Sequence, residues 1–172
     1  EYEYSWGRQN WFANNAEEHR AVREAVGVFE QTSFSKFLIQ GRDAERVLNS
    51  VATANMSVPV GKVVSTQFLN EHGGIEADLT VTRLAEDRYL AVTAAFTHTH
   101  VEHLINKRIP SDACCIVTDV SGAWSMLNLQ GPNSRALLQA LSDDDLSNAG
   151  FPFGTAREIR IGVFSQKDEA GV

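Results

Sequence analysis

Hydrophobic and polar side chains alternate with period two from Ile75 to Leu84: Ile75, Ala77, Leu79 and Val81 fall on one side, Glu76, Asp78, Thr80 and Thr82 on the other. That period marks a strand with one face against a core. A second β-rich run, Val63 to Asn70, lies across Glu71-His72-Gly73-Gly74 from the first. The two predict a hairpin with a glycine-assisted turn. A third strand, Arg88 to Thr93, follows the short polar break Ala85-Glu86-Asp87. Three consecutive strands on short connections predict an antiparallel sheet.

Elsewhere the pattern turns helical. Asn15 with Glu18 resembles a capping box opening a helix that carries Val22 and Val26 and ends at Gly27. Phe37 and Ile39 mark a strand stopping at Gly41, after which Asp43 is placed to cap a helix with Val47, Leu48 and Val51. Thr97 to Ile109 reads as a helix presenting Val101, Leu104 and Ile105 on one face. Strands follow at Cys114 to Val120 and Trp124 to Gln130, and Pro132 suits the first turn of a helix containing Ala136, Leu137, Leu138 and Leu141. Ser142 to Asn148 is an acidic loop or short helix, Phe151 to Gly154 a turn, and Ala156 to Ile161 a last alternating strand. The fold class is α+β, antiparallel sheets with packed helices, not a doubly wound parallel sheet.

Composition narrows the function classes. The 172 residues suffice for one sizeable core, or one and part of a second. With 43% hydrophobic and 22% charged residues the chain has an ordinary globular composition, and its net charge of -7 without a basic run argues against nucleic acid as a partner. No apolar stretch approaches a spanning helix and Glu1-Tyr2-Glu3-Tyr4 lacks signal-peptide character, so no membrane partner is expected and the location is the cytosol or a mitochondrial matrix. Adjacent Cys114 and Cys115 make neither a disulfide framework nor a zinc site and read as reduced strand residues facing opposite ways. The glycines form no dinucleotide fingerprint or P-loop.

Asp78 is the leading candidate for chemistry. Aspartate is depleted in strands because its short side chain competes for backbone hydrogen bonds, and local rules are broken at functional sites. Pattern alone favours a plainer account, the solvent side of an edge strand. His98, His100 and His103 read as solvated helix residues rather than metal ligands, although His100 and His103 share a helix face. Trp6, Trp11 and Phe12 read as packing residues rather than a platform for a flat ring.

Three stretches, Tyr4-Ser5-Trp6-Gly7-Arg8-Gln9-Asn10-Trp11-Phe12, Gly73 to Val81, and Leu127-Asn128-Leu129-Gln130-Gly131-Pro132-Asn133-Ser134-Arg135, resemble the glycine cleavage T-protein (aminomethyltransferase, folate-binding) family. With the run Phe151 to Ile159 they look more specifically like the C-terminal folate domain of dimethylglycine and sarcosine dehydrogenases. The resemblance spans residue 4 to Gly162. It implies an aminomethyltransferase-type fold with tetrahydrofolate in a central cavity. It further implies an upstream FAD domain that oxidises an N-methyl amine to an iminium, whose carbon folate takes as 5,10-methylenetetrahydrofolate. It assigns Asp78 as the functional aspartate, assisting attack of the folate amine by accepting a proton or stabilising nearby cationic charge, and it reverses the preference that pattern alone gives. Leu69 and Asn70 are candidate folate contacts.

One departure bears on completeness. The family continues past Gly162 into a Y-x-G-E-x-G-x-E-type motif, whereas here residues 163–172 diverge from that pattern. The expectation is that residues 1–162 are the N-terminal part of a folate-binding domain and 163–172 a divergent tail, and that alone the chain binds folate poorly and is inactive. The alternative is a non-catalytic regulatory or interaction module with this fold, like the regulatory subunit of pyruvate dehydrogenase phosphatase.

Overall fold

The computed structural model describes residues 1–162. In chain order the elements are α1 (Phe12–Glu24), β1 (Gly27–Glu30), β2 (Ser35–Gln40), α2 (Ala44–Val51), β3 (Val63–Leu69), β4 (Ile75–Ala85), β5 (Arg88–Thr93), a 3-10 turn (Ala95–Thr97), α3 (His98–Lys107), β6 (Ile116–Asp119), β7 (Leu127–Gln130) and α4 (Ser134–Gln139). They form two compact units: residues 31–126 with 152–157, and residues 1–30 with 127–151 and 158–162. The divergent tail expected at 163–172 lies outside the described residues.

The larger unit is a five-stranded sheet in the order β3-β4-β5-β2-β6, antiparallel throughout. Register aligns one face across the strands: Phe68 lies opposite Ala77, Val81 opposite Ala91, and Ala91 opposite Phe37. On that face Phe37, Ile39, Phe68, Ala77, Leu79, Val81, Tyr89 and Ala91 are buried together with Val47, Leu48 and Val51 of α2 and Val101 and Ile105 of α3. Both helices therefore cover the same side of the sheet, as their apolar stripes require. At its edge Tyr89 donates to the Met56 carbonyl at 3.2 Å and to Glu45 at 3.3 Å, and Arg83 pairs with Glu45 at 2.8 Å and donates to the Val58 carbonyl at 2.8 Å. Burial pushes the Tyr89 hydroxyl up to about 12.

In the smaller unit β1 and β7 form a two-stranded antiparallel sheet, Gly27 opposite Gln130 and Glu30 opposite Leu127. Gly131 follows with φ +117°, and a side chain there would bring Cβ to 2.5 Å from the Ala25 carbonyl oxygen. Only glycine allows so close an approach. Arg135 donates to the Leu146 carbonyl, and the Leu146 amide donates to Gln139 Oε1 at 2.9 Å, which folds the chain after α4 back onto it.

The hairpin, the third strand, α2 and α3 form as expected, and several local expectations do not. Helix α1 starts at Phe12, not after Asn15, and no side chain caps it. Asp43 does occupy the N-cap position of α2, but its carboxylate accepts from the Cys114 amide at 2.8 Å and from Arg46 at 3.3 Å. The two cysteines precede β6, with Cys114 exposed and Cys115 half-buried. Residues Ala156 to Ile161 form no strand: a single bridge pairs Thr155, just before the segment, with Lys62, and the Ala156 amide donates to the Gly61 carbonyl at 2.7 Å. Trp6, Trp11 and Phe12 are exposed rather than packed, with Arg8 4.3 Å over the Phe12 ring. Among the described residues no helix is long and apolar enough to cross a membrane.

Burial separates two leucines sharply. Leu48 is fully buried and Leu137 is 36% exposed. Leu48→Ala is expected to cost about 2–5 kcal/mol in urea unfolding and Leu137→Ala less than about 0.5 kcal/mol. Equal losses would contradict this packing.

Candidate functional site

Strand β4 places Asp78. Its neighbours Ala77 and Leu79 are buried at 3% and 4% exposure, so Asp78 must emerge on the opposite face with Thr80. Ile75 departs from the alternation and is 70% exposed. The cause is a bulge: Leu69 pairs with Ile75 but Phe68 pairs with Ala77, leaving Glu76 as the extra residue. Beyond it the register runs Gln67 opposite Asp78 and Ser65 opposite Thr80.

Asp78 is exposed and borders a concavity of about 410 Å³. Phe34, Val92, Phe96 and Met126 supply apolar walls, and Ser65, Thr80, Thr93 and Thr97 supply hydroxyl-bearing ones. The carboxylate accepts from Gln67 Nε2 at 3.0 Å through Oδ1, and Oδ2 has no partner among the described residues. The backbone is held as well. Buried Thr93 donates to the Asp78 carbonyl at 3.2 Å and shares a 2.9 Å bond with Thr97. Buried Lys36 fixes the far wall, donating through Nζ to the Thr32 and Phe34 carbonyls at 2.9 and 2.8 Å, while Thr32 Oγ1 accepts from the Met126 amide at 3.0 Å.

Leu69 and Asn70 lie elsewhere. They line a second hollow of about 360 Å³ with His72, Glu76, His100, His103 and Lys107. The Asn70 side chain organises the turn: Oδ1 accepts from the His72 and Gly74 amides at 3.0 and 2.9 Å, and Nδ2 donates to Glu76 at 2.7 Å. Gly73, at φ +79°, supplies the left-handed residue of that turn. The structure thus separates Asp78 from the two candidate contacts, although all three sit on one hairpin.

The histidines disperse. His98 bonds Ser35 at 2.9 Å and approaches Asp119 at 3.7 Å, His100 meets Glu76 at 2.7 Å, and His103 is exposed. Among the described residues no three His, Cys, Asp or Glu side chains gather as a metal site. Sequence reasoning passed over Gln67 and Lys36. Counting outward from the turn would set Gln67 against Ala77, because the bulge is not visible in the sequence. Lys36 carried a signal, a lone cation in the apolar run around Phe37 and Ile39.

The family model for the GCVT N-terminal domain matches residues 1–166. The 4-methylaminobutanoate oxidase (formaldehyde-forming) of Paenarthrobacter nicotinovorans is 41% identical over 160 residues, 93% of this chain and 19% of that protein. Human mitochondrial sarcosine dehydrogenase is 36% identical over 154 residues, 81% of this chain and 17% of that protein. The mouse mitochondrial pyruvate dehydrogenase phosphatase regulatory subunit is 31% identical over 157 residues, 90% and 18% of the two chains. Among solved structures, the glycine cleavage system aminomethyltransferase T from Bartonella henselae superposes with a TM-score of 0.69 at 25% identity, covering 81% of this chain and 39% of that one. The chain belongs to the GCVT N-terminal domain family. It spans less than a fifth of the length of these curated relatives. Both the T-protein likeness and the α+β antiparallel fold expected from sequence are met.

Glu76 links the hairpin to α3 and carries a pH prediction. The Asn70 amide, and after it His100, hold its carboxyl below the ordinary value of 4.5. A carboxylate depressed in the folded state stabilises the fold above its ordinary value, and that contribution disappears as pH falls through the folded value. Glu76→Gln should therefore be less stable than the parent chain in urea at pH 7, and the gap should close as pH falls below the ordinary carboxyl value of 4.5 and through the lower folded one. A gap that stays equal as pH falls would contradict the pairing.

Proposed function

We propose that this chain is the N-terminal part of a tetrahydrofolate-dependent one-carbon (aminomethyl) transfer domain, belonging to a longer enzyme of the dimethylglycine and sarcosine dehydrogenase type that delivers an amine-derived methylene to folate. The domain part comprises residues 1–162, with 163–172 as the divergent tail. The single observation that carries this reading is Asp78 itself: a strand carboxylate with one oxygen unpartnered among the described residues, set at the edge of a concavity with apolar walls, in a chain of this family.

The residues present fit the pterin end of folate. A volume of about 410 Å³ is in the range of small-molecule sites, and mostly apolar walls with a few polar groups suit a flat heterocycle rich in N–H donors. Bound tetrahydrofolate supplies the amine that takes up the carbon. The carboxylate of Asp78 accepts a proton from that amine or stabilises cationic charge on the incoming carbon unit. Phe34 and Met126 shed water from the site, which strengthens the interaction of the carboxylate with charge. Thr93 and Thr97 hold the backbone on which Asp78 is mounted. Leu69 and Asn70, which line the separate hollow at the hairpin end, would contact a part of folate other than the pterin. In the longer enzyme FAD belongs to a separate upstream domain, which sets the choice of amine, and the compartment is the cytosol or the mitochondrial matrix.

A second reading rests on a specific observation, the 31% identity to a phosphatase regulatory subunit: the chain is a regulatory or interaction module that keeps the fold without the chemistry. Asp78→Asn in the longer protein separates the two. On the enzymatic reading it slows methylenetetrahydrofolate formation about a hundredfold or more while amine-driven flavin reduction stays near the parent rate. Equal methylenetetrahydrofolate yields from both proteins would remove Asp78 from the mechanism.

A further inference from the structure

Residue Gln67 stands directly across the β3–β4 ladder from Asp78, on the face of the sheet turned away from the core. Its neighbours Thr66 and Phe68 are buried at 1% and 0% exposure, so its backbone is fixed and its side chain has one direction to leave. The carboxamide donates to Asp78 Oδ1 at 3.0 Å. An amide that donates through nitrogen to Oδ1 engages that oxygen and leaves Oδ2 with no partner among the described residues, the more open of the two to a ligand. It also selects a single orientation for a side chain that otherwise samples several rotamers.

We propose that Gln67 is a positioning residue for the transfer reaction, holding Asp78 through Oδ1 so that Oδ2 meets the reacting amine. The inference rests on the assignment of Asp78 as the reacting carboxylate. Pre-orientation of a catalytic group removes an entropic part of the barrier, so its loss appears in the turnover of bound substrate more than in binding. The bulge at Glu76 is what makes the pair possible: the same sequence paired without a bulge from Leu69 and Ile75 would set Gln67 against Ala77 and Asp78 against Thr66. Thr93 secures the Asp78 backbone independently, through its carbonyl, so loss of Gln67 frees the side chain without releasing the strand.

The test uses Gln67→Leu and Gln67→Glu. In the 172-residue chain, couplings from backbone nitrogen and carbonyl carbon to Asp78 Cγ report its χ1. One rotamer is expected in the parent chain and averaging over several in Gln67→Leu. In the longer protein Gln67→Leu should lower kcat for methylenetetrahydrofolate formation about tenfold with little change in the KM for folate. Gln67→Glu sets two carboxylates side by side, and should move the acid limb of the transfer rate upward by about one pH unit. An unchanged χ1 distribution in Gln67→Leu, or an acid limb that Gln67→Glu leaves in place while Asp78→Asn abolishes transfer, would overturn the role of Gln67 alone. Should Asp78→Asn itself leave transfer intact, the assignment beneath it falls instead.

Discussion

Burial of Ala77, Leu79 and Val81 against α2 and α3 is the constraint on which the site depends. Side chains on a strand alternate, so sinking these three fixes Asp78 on the other face, and a slip of one residue would bury the carboxylate and expose the core row. Register here is therefore strongly specified. The hydrophobic core and the position of Asp78 are one decision made by the same eleven-residue strand.

From that constraint the rest of the site follows in layers. The bulge at Glu76 brings Gln67 opposite Asp78 and turns Glu76 toward His100. Thr93, where the ladder between β4 and β5 ends, holds the Asp78 carbonyl with a buried hydroxyl. Lys36, almost fully buried, spends its ammonium on two loop carbonyls and fixes Phe34 at the opposite wall. A buried cation so bonded is costly to place and holds its loop in one geometry.

Strong periodic segments were legible in the sequence. The hairpin, the bounds Arg88 to Thr93 of the third strand, and the apolar rows of α2 and α3 all come from local pattern and a glycine turn. The features that escaped are those set by distant partners. Strand β1 is four residues long and exists because β7, about a hundred residues later, pairs with it. Ala156 to Ile161 alternates like a strand but finds no sheet edge beyond Thr155. The capping box at Asn15 was overridden because the helix extends back to Phe12. Trp6 and Trp11 read as core by residue type, yet α1 buries none of its residues. For the site, the direction of Asp78 was readable from alternation, whereas its amide partner, hidden by a one-residue bulge, was not.

Orientation of the Asp78 carboxylate toward the reacting end of folate is the claim on which the mechanism stands. A crystal structure of the longer protein with a reduced folate bound tests it most directly. The account predicts the pterin seated against Phe34 and Met126, with an amine nitrogen within hydrogen-bonding distance, about 3 Å, of Asp78 Oδ2. Folate bound on the opposite side of the sheet, or with no nitrogen near that carboxylate, would contradict it.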